Sequence, residues 1–396
     1  MTEEVISQPV TRKGAFSGAV VKRFLGFVHL WVGLICGIPF VALGISGSVL
    51  MLGHDLPITG MAHSNTNNLA ALIEAAKPGA PEGARPTSVD LPAMHGDPVL
   101  VRFAPQRNGE RGAAPAPGPR GGISVLVDTT TMAVTKNENQ GAGGMMRLMH
   151  DIHGRMLIEG PSGRSFVGWL GVFMTFLGLS GIVLWWPKPH QWRNAFTFGF
   201  GRFGLKFNRD MHGAVGIWGL IVFLIVSFSG VYIAFPQTLN DVFGAGKVVR
   251  EARGFGTSPV KVSPIEGETP MEIDDAVALA RGDVADALVR QVQIPTAPDQ
   301  PYRVIMSRAG DGNNAPRVTV FVDQWNKRVA EVRDPKQYSA ADTFLTWQRP
   351  LHTGLGLGWI WWSLVFLSGF LPLLFVVTGF SMWLIKRRNK RRVMAQ

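Results

Sequence analysis

The chain contains almost no cysteine. Its 396 residues include one, Cys36, so a disulfide within the chain is excluded, as are metal or iron–sulfur sites built from several cysteines of one chain. Attachment of a c-type haem requires a Cys-x-x-Cys-His motif, and the sequence has none. These absences exclude redox sites built from several cysteines of a single chain.

Charged residues are also scarce. They make up 17% of the chain, against roughly 25% in a typical soluble domain. The 46% hydrophobic content and the mean hydropathy of +0.15 suit several membrane spans combined with soluble segments. The first apolar window is too long for a signal peptide and follows a polar segment, so we expect it to be retained. Four windows have the length and low polarity of transmembrane helices: 24–52, 165–186, 211–235 and 359–385.

Positive charge is concentrated beside the ends of these windows. Because basic residues favour the cytoplasmic side, segments 1–23, 187–210 and 386–396 are predicted to be cytoplasmic. Segments 53–164 and 236–358 are then external, and periplasmic in a Gram-negative cell. We expect a multi-pass protein of the bacterial inner membrane, in contact with the lipid bilayer, with both termini in the cytoplasm. The net charge of +11 mostly reflects this topology. Nucleic acid is not an expected partner, because the basic residues adjoin helix ends.

The two external segments have the composition of soluble units of helices and strands. In the second, residues 271–289 show apolar side chains at helical spacing, and YRVIMSR and RVTVFVDQWNKRVAEV alternate as half-buried strands do. The first is a weaker copy, with a helix in NLAALIEAAKPG and strands in PVLVRFAP and GISVLVDTTTMAV. A Pro/Gly-rich insertion at 106–122 separates those strands and is predicted to be disordered. Asp128 and Asp323 end strands, and we interpret them as turn residues rather than metal ligands.

The membrane part contains an internal repeat. RFLGFVHLWVGLICGIPFVALGISGSVL aligns with KFNRDMHGAVGIWGLIVFLIVSFSGVYI, so that Ser-Gly follows His29 and His212 at the same offset. TFLGLSGIVLWWPK aligns with LFVVTGFSMWLIKR, which pairs Ser180-Gly181 with Thr378-Gly379. The fold class predicted is therefore a membrane all-α four-helix bundle with external α+β segments, built from two copies of helix, external segment and helix.

The topology sorts four histidines by depth. His29 and His212 lie near the cytoplasmic ends of their helices, whereas His153 and His352 lie at the external ends of the second and fourth spans. At 1.5 Å per residue, Ser46-Gly47 lies about 26 Å from His29, close to the external pair. Each helix thus places small residues at the level where two other segments supply histidines. Small residues leave room for a flat, bulky group between the helices.

Two b haems, each held by two imidazoles, would explain this pattern. Each haem needs one histidine from either side and slim residues around it. His29 and His212 would bind the cytoplasmic-side haem iron, and His153 and His352 the periplasmic-side haem iron. A membrane histidine that simply bonds to a carbonyl is the alternative for any one of them. A transition-metal channel is another, but it would require acids, methionines or cysteines along spans that have almost no acids.

Other residues near these histidines have open roles. His150 is the substitute ligand if His153 does not bind. Met145, Met146, Met149 and Met156 form either a copper site, an alternative axial ligand or the packing surface of an interfacial helix. The remaining histidines, His54, His63, His95 and His190, are predicted to be solvated loop residues. Three arginines could hold haem propionates by charge-assisted bonds or could meet lipid headgroups: Arg155, Arg164 and Arg349.

The motif set resembles the PepSY-associated transmembrane helix family. It consists of FVHLWVGLICG with GISGSVL, HGRMLIEGPSGRSFVGW leading to LSGIVLWWPK, DMHGAVGIWGL, and LHTGLGLGW with VVTGFSMWLIKRR. Members of that family include iron-uptake-regulated inner-membrane proteins and ferric-siderophore reductases. The resemblance covers nearly the whole chain and includes the external segments, which look like PepSY units. The insertion at 106–122 departs from the expected pattern.

This resemblance implies a dihaem protein that carries electrons outward and reduces ferric siderophore, Fe(III) to Fe(II), in the periplasm. The family's membrane histidines carry over onto His29, His153, His212 and His352. No flavin or nicotinamide motif was found, so a cytoplasmic protein or a quinol would be the electron donor. A function of another class remains: a non-catalytic membrane protein whose external segments bind a periplasmic peptide or partner.

Overall fold

The chain is described from a computed structural model. The described residues are 18–53, 68–92, 97–104, 123–136, 143–199, 203–246, 249, 260–311 and 315–396. Several features singled out in the sequence lie outside these residues: most of the N-terminal segment 1–23, the histidines at 54, 63 and 95, and the insertion at 106–122.

Four long apolar helices confirm the predicted membrane spans by length and composition. The first span consists of α1 (Gly18–Ile35) and α2 (Gly37–Leu52), and the fourth of α11 (Gly358–Ser368) and α12 (Leu371–Met394). The second and third spans are the single helices α5 (Pro161–Trp185) and α7 (Leu205–Ala234). The protein is therefore a helical membrane protein.

The first and fourth spans are interrupted, which the apolar windows did not predict. The breaks fall at Cys36 and at Gly369, and Pro39 and Pro372 follow them by less than one turn. Proline lacks the N–H that would bond to the preceding turn, and its ring clashes with that carbonyl, so the helix bends there. The two broken spans cross at two glycines, Gly44 and Gly369, which let the backbones approach closely. A methyl group at Gly369 would lie 2.5 Å from the carbonyl oxygen of Gly44.

The spans pack in a ring that follows chain order. The main contacts join α1 to α5, α5 to α7, α7 to α12, and α12 to α2. The first and third spans, which carry His29 and His212, therefore occupy opposite corners. One end of the bundle carries the described basic residues of segment 187–210 and those of the C-terminal helix, and we call it the basic end. The other end carries the strands, and we call it the sheet end.

The strands form one antiparallel sheet of eight, in the order β4-β3-β2-β1-β5-β6-β7-β8. The external segments meet where β1 pairs with β5, with Val89 opposite Val292, and both side chains are fully buried. Helices α3 (Leu69–Ala76) and α9 (Ile273–Asp283) pack with the buried side chains of the sheet in one hydrophobic core. The strands are β1 Arg85–Asp90, β2 Val99–Ala104, β3 Ile123–Val127, β4 Val134–Lys136, β5 Ala287–Gln293, β6 Tyr302–Arg308, β7 Val318–Asp323 and β8 Arg328–Arg333.

Sequence patterns predicted most of this sheet, with two differences. The helix expected over 271–289 ends at Asp283, and its last residues belong to β5. Val284 leaves the helical conformation directly after Gly282-Asp283, residues with low helix propensity. Strand β1 was not predicted. The turn roles of the aspartates are confirmed, because Asp128 accepts bonds from two following backbone N–H groups at 2.8 Å, and Asp323 accepts from Trp325 at 2.9 Å.

Two amphipathic helices lead from the sheet end into the second and fourth spans. They are α4 (Gly143–Arg155), which packs on α2, and α10 (Ala340–Thr353), which packs on α7. Helix α10 ends at Gly354 with a φ of 76°, a conformation that glycine adopts at little cost. Each helix carries one of the predicted external histidines near its C-terminus. Two short α-helices, α6 (Trp192–Ala195) and α8 (Pro236–Val242), lie next to the second and third spans.

Candidate cofactor site: two pairs of histidines

The structure brings the four predicted histidines together in two pairs. The ring centroids of His29 and His212 are 6.4 Å apart, and those of His153 and His352 are 5.9 Å apart. Two imidazoles that ligate one metal ion from opposite sides, through bonds of about 2 Å, hold their centroids about 6 Å apart. Both separations therefore suit a single ion between the rings of each pair.

Each ring is held through Nδ1 by a hydroxyl group from another segment. In the pair near the basic end, Nδ1 of His29 lies 2.8 Å from Oγ of Ser180, and Nδ1 of His212 lies 2.8 Å from Oγ1 of Thr378. In the other pair, the corresponding distances are 3.4 Å from His153 to Ser46 and 3.1 Å from His352 to Ser229. Each hydroxyl therefore lies on a span adjacent, in the ring of spans, to the segment that carries its histidine.

These bonds determine which ring nitrogen carries the proton. The hydroxyl of Thr378 donates to the carbonyl of Leu374 at 2.7 Å, so it accepts from Nδ1 of His212. Ser180 likewise donates to Leu177 at 3.2 Å. Carbonyl oxygens reinforce the assignment in the other pair: that of Leu43 lies 2.9 Å from Nδ1 of His153 and that of Val226 lies 3.0 Å from Nδ1 of His352. With Nδ1 as the donor, Nε2 of a neutral ring keeps its lone pair for a metal.

A glycine lies against every one of the four rings. A methyl group at Gly47 would be 2.8 Å from Cε1 of His153, and one at Gly230 would be 3.1 Å from Cε1 of His352. At Gly181 and Gly379, the distances to His29 and His212 would each be 3.8 Å. The hydroxyl residue and the glycine that follows it therefore form one unit. We call the units Ser46-Gly47, Ser180-Gly181, Ser229-Gly230 and Thr378-Gly379 the Ser/Thr-Gly cradles.

A cavity of about 1410 Å³ surrounds His29 and His212 and extends to the basic end. Glycines from all four spans line it, including Gly26, Gly181, Gly216 and Gly379. Its volume exceeds the roughly 300–1,000 Å³ typical of sites for drug-sized ligands. The cavity, the paired imidazoles and the glycines that give them room fit a bis-histidine haem, because a planar macrocycle needs both axial nitrogens and slim neighbours. No cluster of histidine, cysteine and acids suited to a bare metal ion occurs among the described residues.

Comparison with known families agrees with the motif pattern. The model of the PepSY-associated TM region matches residues 27–386, which is nearly the whole chain. The chain belongs to this family. The match includes all four cradles, the whole of the second and third spans and most of the first and fourth.

One curated relative of this PepSY-associated TM protein is an uncharacterized protein of Pseudomonas aeruginosa. It is 30% identical over 112 residues, which cover 24% of this chain and 27% of the relative. The chain thus matches about a quarter of that relative's length. Because the relative is itself described as uncharacterized, this similarity carries no activity to the chain.

The other predicted site residues of the PepSY-associated TM protein lie around the external pair. Arg155 forms an ion pair with Asp151 at 3.2 Å, and Arg164 donates to the carbonyl of Ile233. Arg349 is exposed one turn before His352 on α10. His150 is exposed one turn before His153 on α4, outside the two pairs of rings.

Sequence reasoning missed the aromatic residues at the inner end of the cavity. Phe40, Phe223 and Phe375 all line it, and the rings of Phe223 and Phe375 are 6.2 Å apart. The ring of Phe375 is also 5.0 Å from that of His212. The sequence could have indicated them, since Phe40 and Phe223 follow His29 and His212 at the same offset. These rings line the cavity on the side away from the basic end.

Proposed function

We propose that this PepSY-associated TM protein transfers electrons across the bacterial inner membrane through two b haems and reduces ferric siderophore on the periplasmic side. The main support for the proposal is that four histidines form two pairs. In each pair, the distance between the ring centroids suits one ion between the rings. Intramembrane histidines are costly to retain without a function. His29 and His212 lie on spans, and His153 and His352, on α4 and α10, have matching partners. The four together therefore favour a shared cofactor role over four separate packing roles.

Different residues would hold each of the two cofactors. His29 and His212 supply the axial nitrogens of one site, and His153 and His352 those of the other. The Ser/Thr-Gly cradles keep Nδ1 protonated and fix the plane of each ring, a type of support that tunes metal affinity and potential. When bound, the haems supply reversible one-electron chemistry. Phe40, Phe223 and Phe375 exclude water between the two levels, so that charge crosses as electrons without an open aqueous path.

The direction of transfer follows from the proposed topology. Both termini and the basic end face the cytoplasm, and the sheet end faces the periplasm. A cytoplasmic protein or a quinol donates electrons one at a time at the basic end. At the sheet end, one electron converts the Fe(III) of a bound ferric siderophore to Fe(II), and no bond within the chelator needs to break. The Fe(II) ion then leaves more readily, because the hard oxygen donors of siderophores bind it less tightly.

The internal repeat forms part of this proposal. Two copies of helix, external segment and helix, related by an approximate two-fold axis along the bundle, would give each site one histidine from each copy. The equivalent partners of His29 and His212, and of His153 and His352, support that relation. Such a repeat explains why the two histidines of each site have equivalent hydroxyl partners.

A pyridine-haemochrome assay on the purified full-length protein tests the proposal directly. We expect two b haems per chain in the wild type and one in His29→Ala or His212→Ala. His190→Ala is the matched control, because His190 is an exposed histidine of the basic loop, and it should retain both haems. A colourless preparation from haem-replete cells would overturn the proposal and favour a non-catalytic protein that binds a periplasmic peptide or partner. Retention of two haems in His29→Ala would contradict the pairing.

Reduction of the substrate requires a separate measurement. The dithionite-reduced protein in vesicles should transfer electrons to a ferric hydroxamate, detected as the Fe(II) complex of ferrozine. His352→Ala should abolish this transfer, because it removes the site nearest the sheet end. Equal rates in the wild type and in His352→Ala would show that the external pair has no part in the reduction.

A further inference from the structure

Five lysines line the wall of the large cavity at its basic end: four come one from each span or its immediate continuation, and the fifth, Lys390, lies one turn beyond Lys386. Lys22 lies two turns before His29 on α1, and Lys386 lies two turns after Gly379 on α12, each about 10 Å along its helix. Lys206 begins α7 before His212, and Lys188 follows the end of α5. We call these residues the lysine ring: Lys22, Lys188, Lys206 and Lys386.

Within the described residues, none of the four lysines has an ion-pair partner. The acid that lines the same cavity, Asp210, is bound by the guanidinium of Arg209 at 3.0 Å. The side chains of the lysine ring are exposed, with flexible stems that reach inward or outward. The cavity therefore has surplus positive charge at one end and apolar aromatic rings at the other.

The placement of the histidines would constrain any porphyrin held between them. His29 and His212 occupy opposite corners of the ring of spans, so a group held by both would lie between the spans. Carboxylates of such a group that face an end of the cavity would face either its inner end or its basic end. At the inner end those carboxylates would meet Phe40, Phe223 and Phe375, where an unpaired charge is strongly unfavourable. At the basic end they would meet ammonium groups.

Resting on the proposed function, we infer that the lysine ring binds the two propionate carboxylates of the porphyrin held by His29 and His212. The ring spans all four walls, so it accommodates either carboxylate from more than one side. This assigns the four lysines a ligand, whereas the basic residues outside the cavity serve topology. Arg23 and Arg388 belong to the outer group, since they adjoin Lys22 and Lys386 but do not line the cavity.

The test compares two double variants of equal charge. Lys22→Gln/Lys386→Gln removes half of the lysine ring, and Arg23→Gln/Arg388→Gln removes two neighbouring charges outside the cavity. Both are made in full-length protein that carries His352→Ala, so that the site between His29 and His212 is measured alone. The protein is purified from haem-limited cells and titrated with haem and with haem dimethyl ester, which lacks the carboxylate charges.

We expect the lysine variant to bind haem about tenfold more weakly than its parent, while its affinity for the dimethyl ester stays unchanged. Its midpoint potential should fall, because nearby cations stabilise the reduced, more negative form. The arginine variant should match the parent in both measurements, and Lys22→Arg/Lys386→Arg should restore haem affinity. Equal weakening by the lysine and arginine variants, or equal loss for both porphyrins, would overturn the inference. Absence of haem binding in the parent would instead overturn the proposed function.

Discussion

His29 and Ser180 are separated by 151 positions in the chain, yet Nδ1 of the histidine lies 2.8 Å from Oγ of the serine. His212 and Thr378, separated by 166 positions, show the same distance. Each imidazole is therefore positioned by a span other than its own. The arrangement couples helix packing to the orientation of the ring, so a shift between spans would change the direction of Nε2.

The hydroxyl of Ser180 is expected to control cofactor affinity at the pair near the basic end. Ser180→Ala removes the acceptor that keeps Nδ1 of His29 protonated, and loss of such a partner costs about 10- to 100-fold in metal affinity. Haem transfer to apomyoglobin from the purified protein measures this. Thr175→Ala is the control, because Thr175 lies on the same helix and bonds to the carbonyl of Gly171. Equal haem loss in both variants would contradict the prediction.

The hydroxyl of Thr378 allows a complementary rescue. Thr378→Val keeps the shape of the side chain but leaves Nδ1 of His212 without its partner, so we expect weaker haem retention. Thr378→Ser restores the hydroxyl and should restore retention to nearly the wild-type level. The same transfer assay applies. If valine is tolerated as well as serine, the hydroxyl has no role in holding the ring.

The four cradle glycines are expected to differ in their tolerance of a methyl group. Gly47→Ala and Gly230→Ala place Cβ 2.8 Å and 3.1 Å from the rings of His153 and His352, closer than ordinary contact. Gly181→Ala and Gly379→Ala place it 3.8 Å away, which is ordinary contact. The first two variants should lose one haem per chain in the haemochrome assay, and the other two should keep both. The opposite order would show that the glycines do not set the space around the rings.

The crossing of the first and fourth spans is expected to depend on glycine. In Gly369→Ala the new methyl group meets Oγ of Ser48 and the carbonyl of Gly44, and such overpacking costs about 1–3 kcal/mol. Thermal unfolding of the detergent-solubilised protein should show a lower Tm. Gly144→Ala is the control, since no atom lies within 4 Å of the added Cβ. An unchanged Tm in Gly369→Ala would mean that the spans separate at little cost.

An ion-pair cluster makes the sheet sensitive to acid. Arg308 donates to Asp286 at 2.6 Å and to both oxygens of Asp334 at 2.8 and 2.7 Å. The bond from Arg308, assisted by Lys336, lowers the pKa of Asp286 to about 2, and Arg308 also lowers the pKa of Asp334. Because an unfolded aspartate has a pKa of about 3.9, the stabilisation is complete above that pH and is lost as pH falls toward about 2.

Asp286→Asn tests this pH dependence. The variant should be less stable than the wild type at pH 7, and the difference in Tm should shrink between about pH 4 and pH 2. Glu266→Gln, at an exposed turn before α9, should show no such convergence. A Tm difference for Asp286→Asn that stays constant across this range would contradict the assignment.

Much of the candidate site could be predicted from the sequence. The rise per residue of a helix is fixed, so the number of residues between two positions gives their difference in depth in the membrane. The offset from His29 to Ser46-Gly47 placed the cradle near the other pair, and the structure brings Ser46 to His153. The breaks at Cys36 and Gly369 could have been inferred from Pro39 and Pro372. The partner of Arg164 could not be inferred from the sequence, since its contact with the carbonyl of Ile233 depends on how α5 packs against α7.

The amino-acid sequence by itself determined the four apolar spans, the alternation of most strands and the level of each histidine along its helix. These are local, periodic properties that follow from residue type and from the rise of a helix or strand. Tertiary structure alone decided that β1 of one external segment pairs with β5 of the other, and that His29 faces His212 across the bundle. The physical reason is that such approaches depend on packing between segments far apart in the chain, where glycines and close-fitting side chains set the distance.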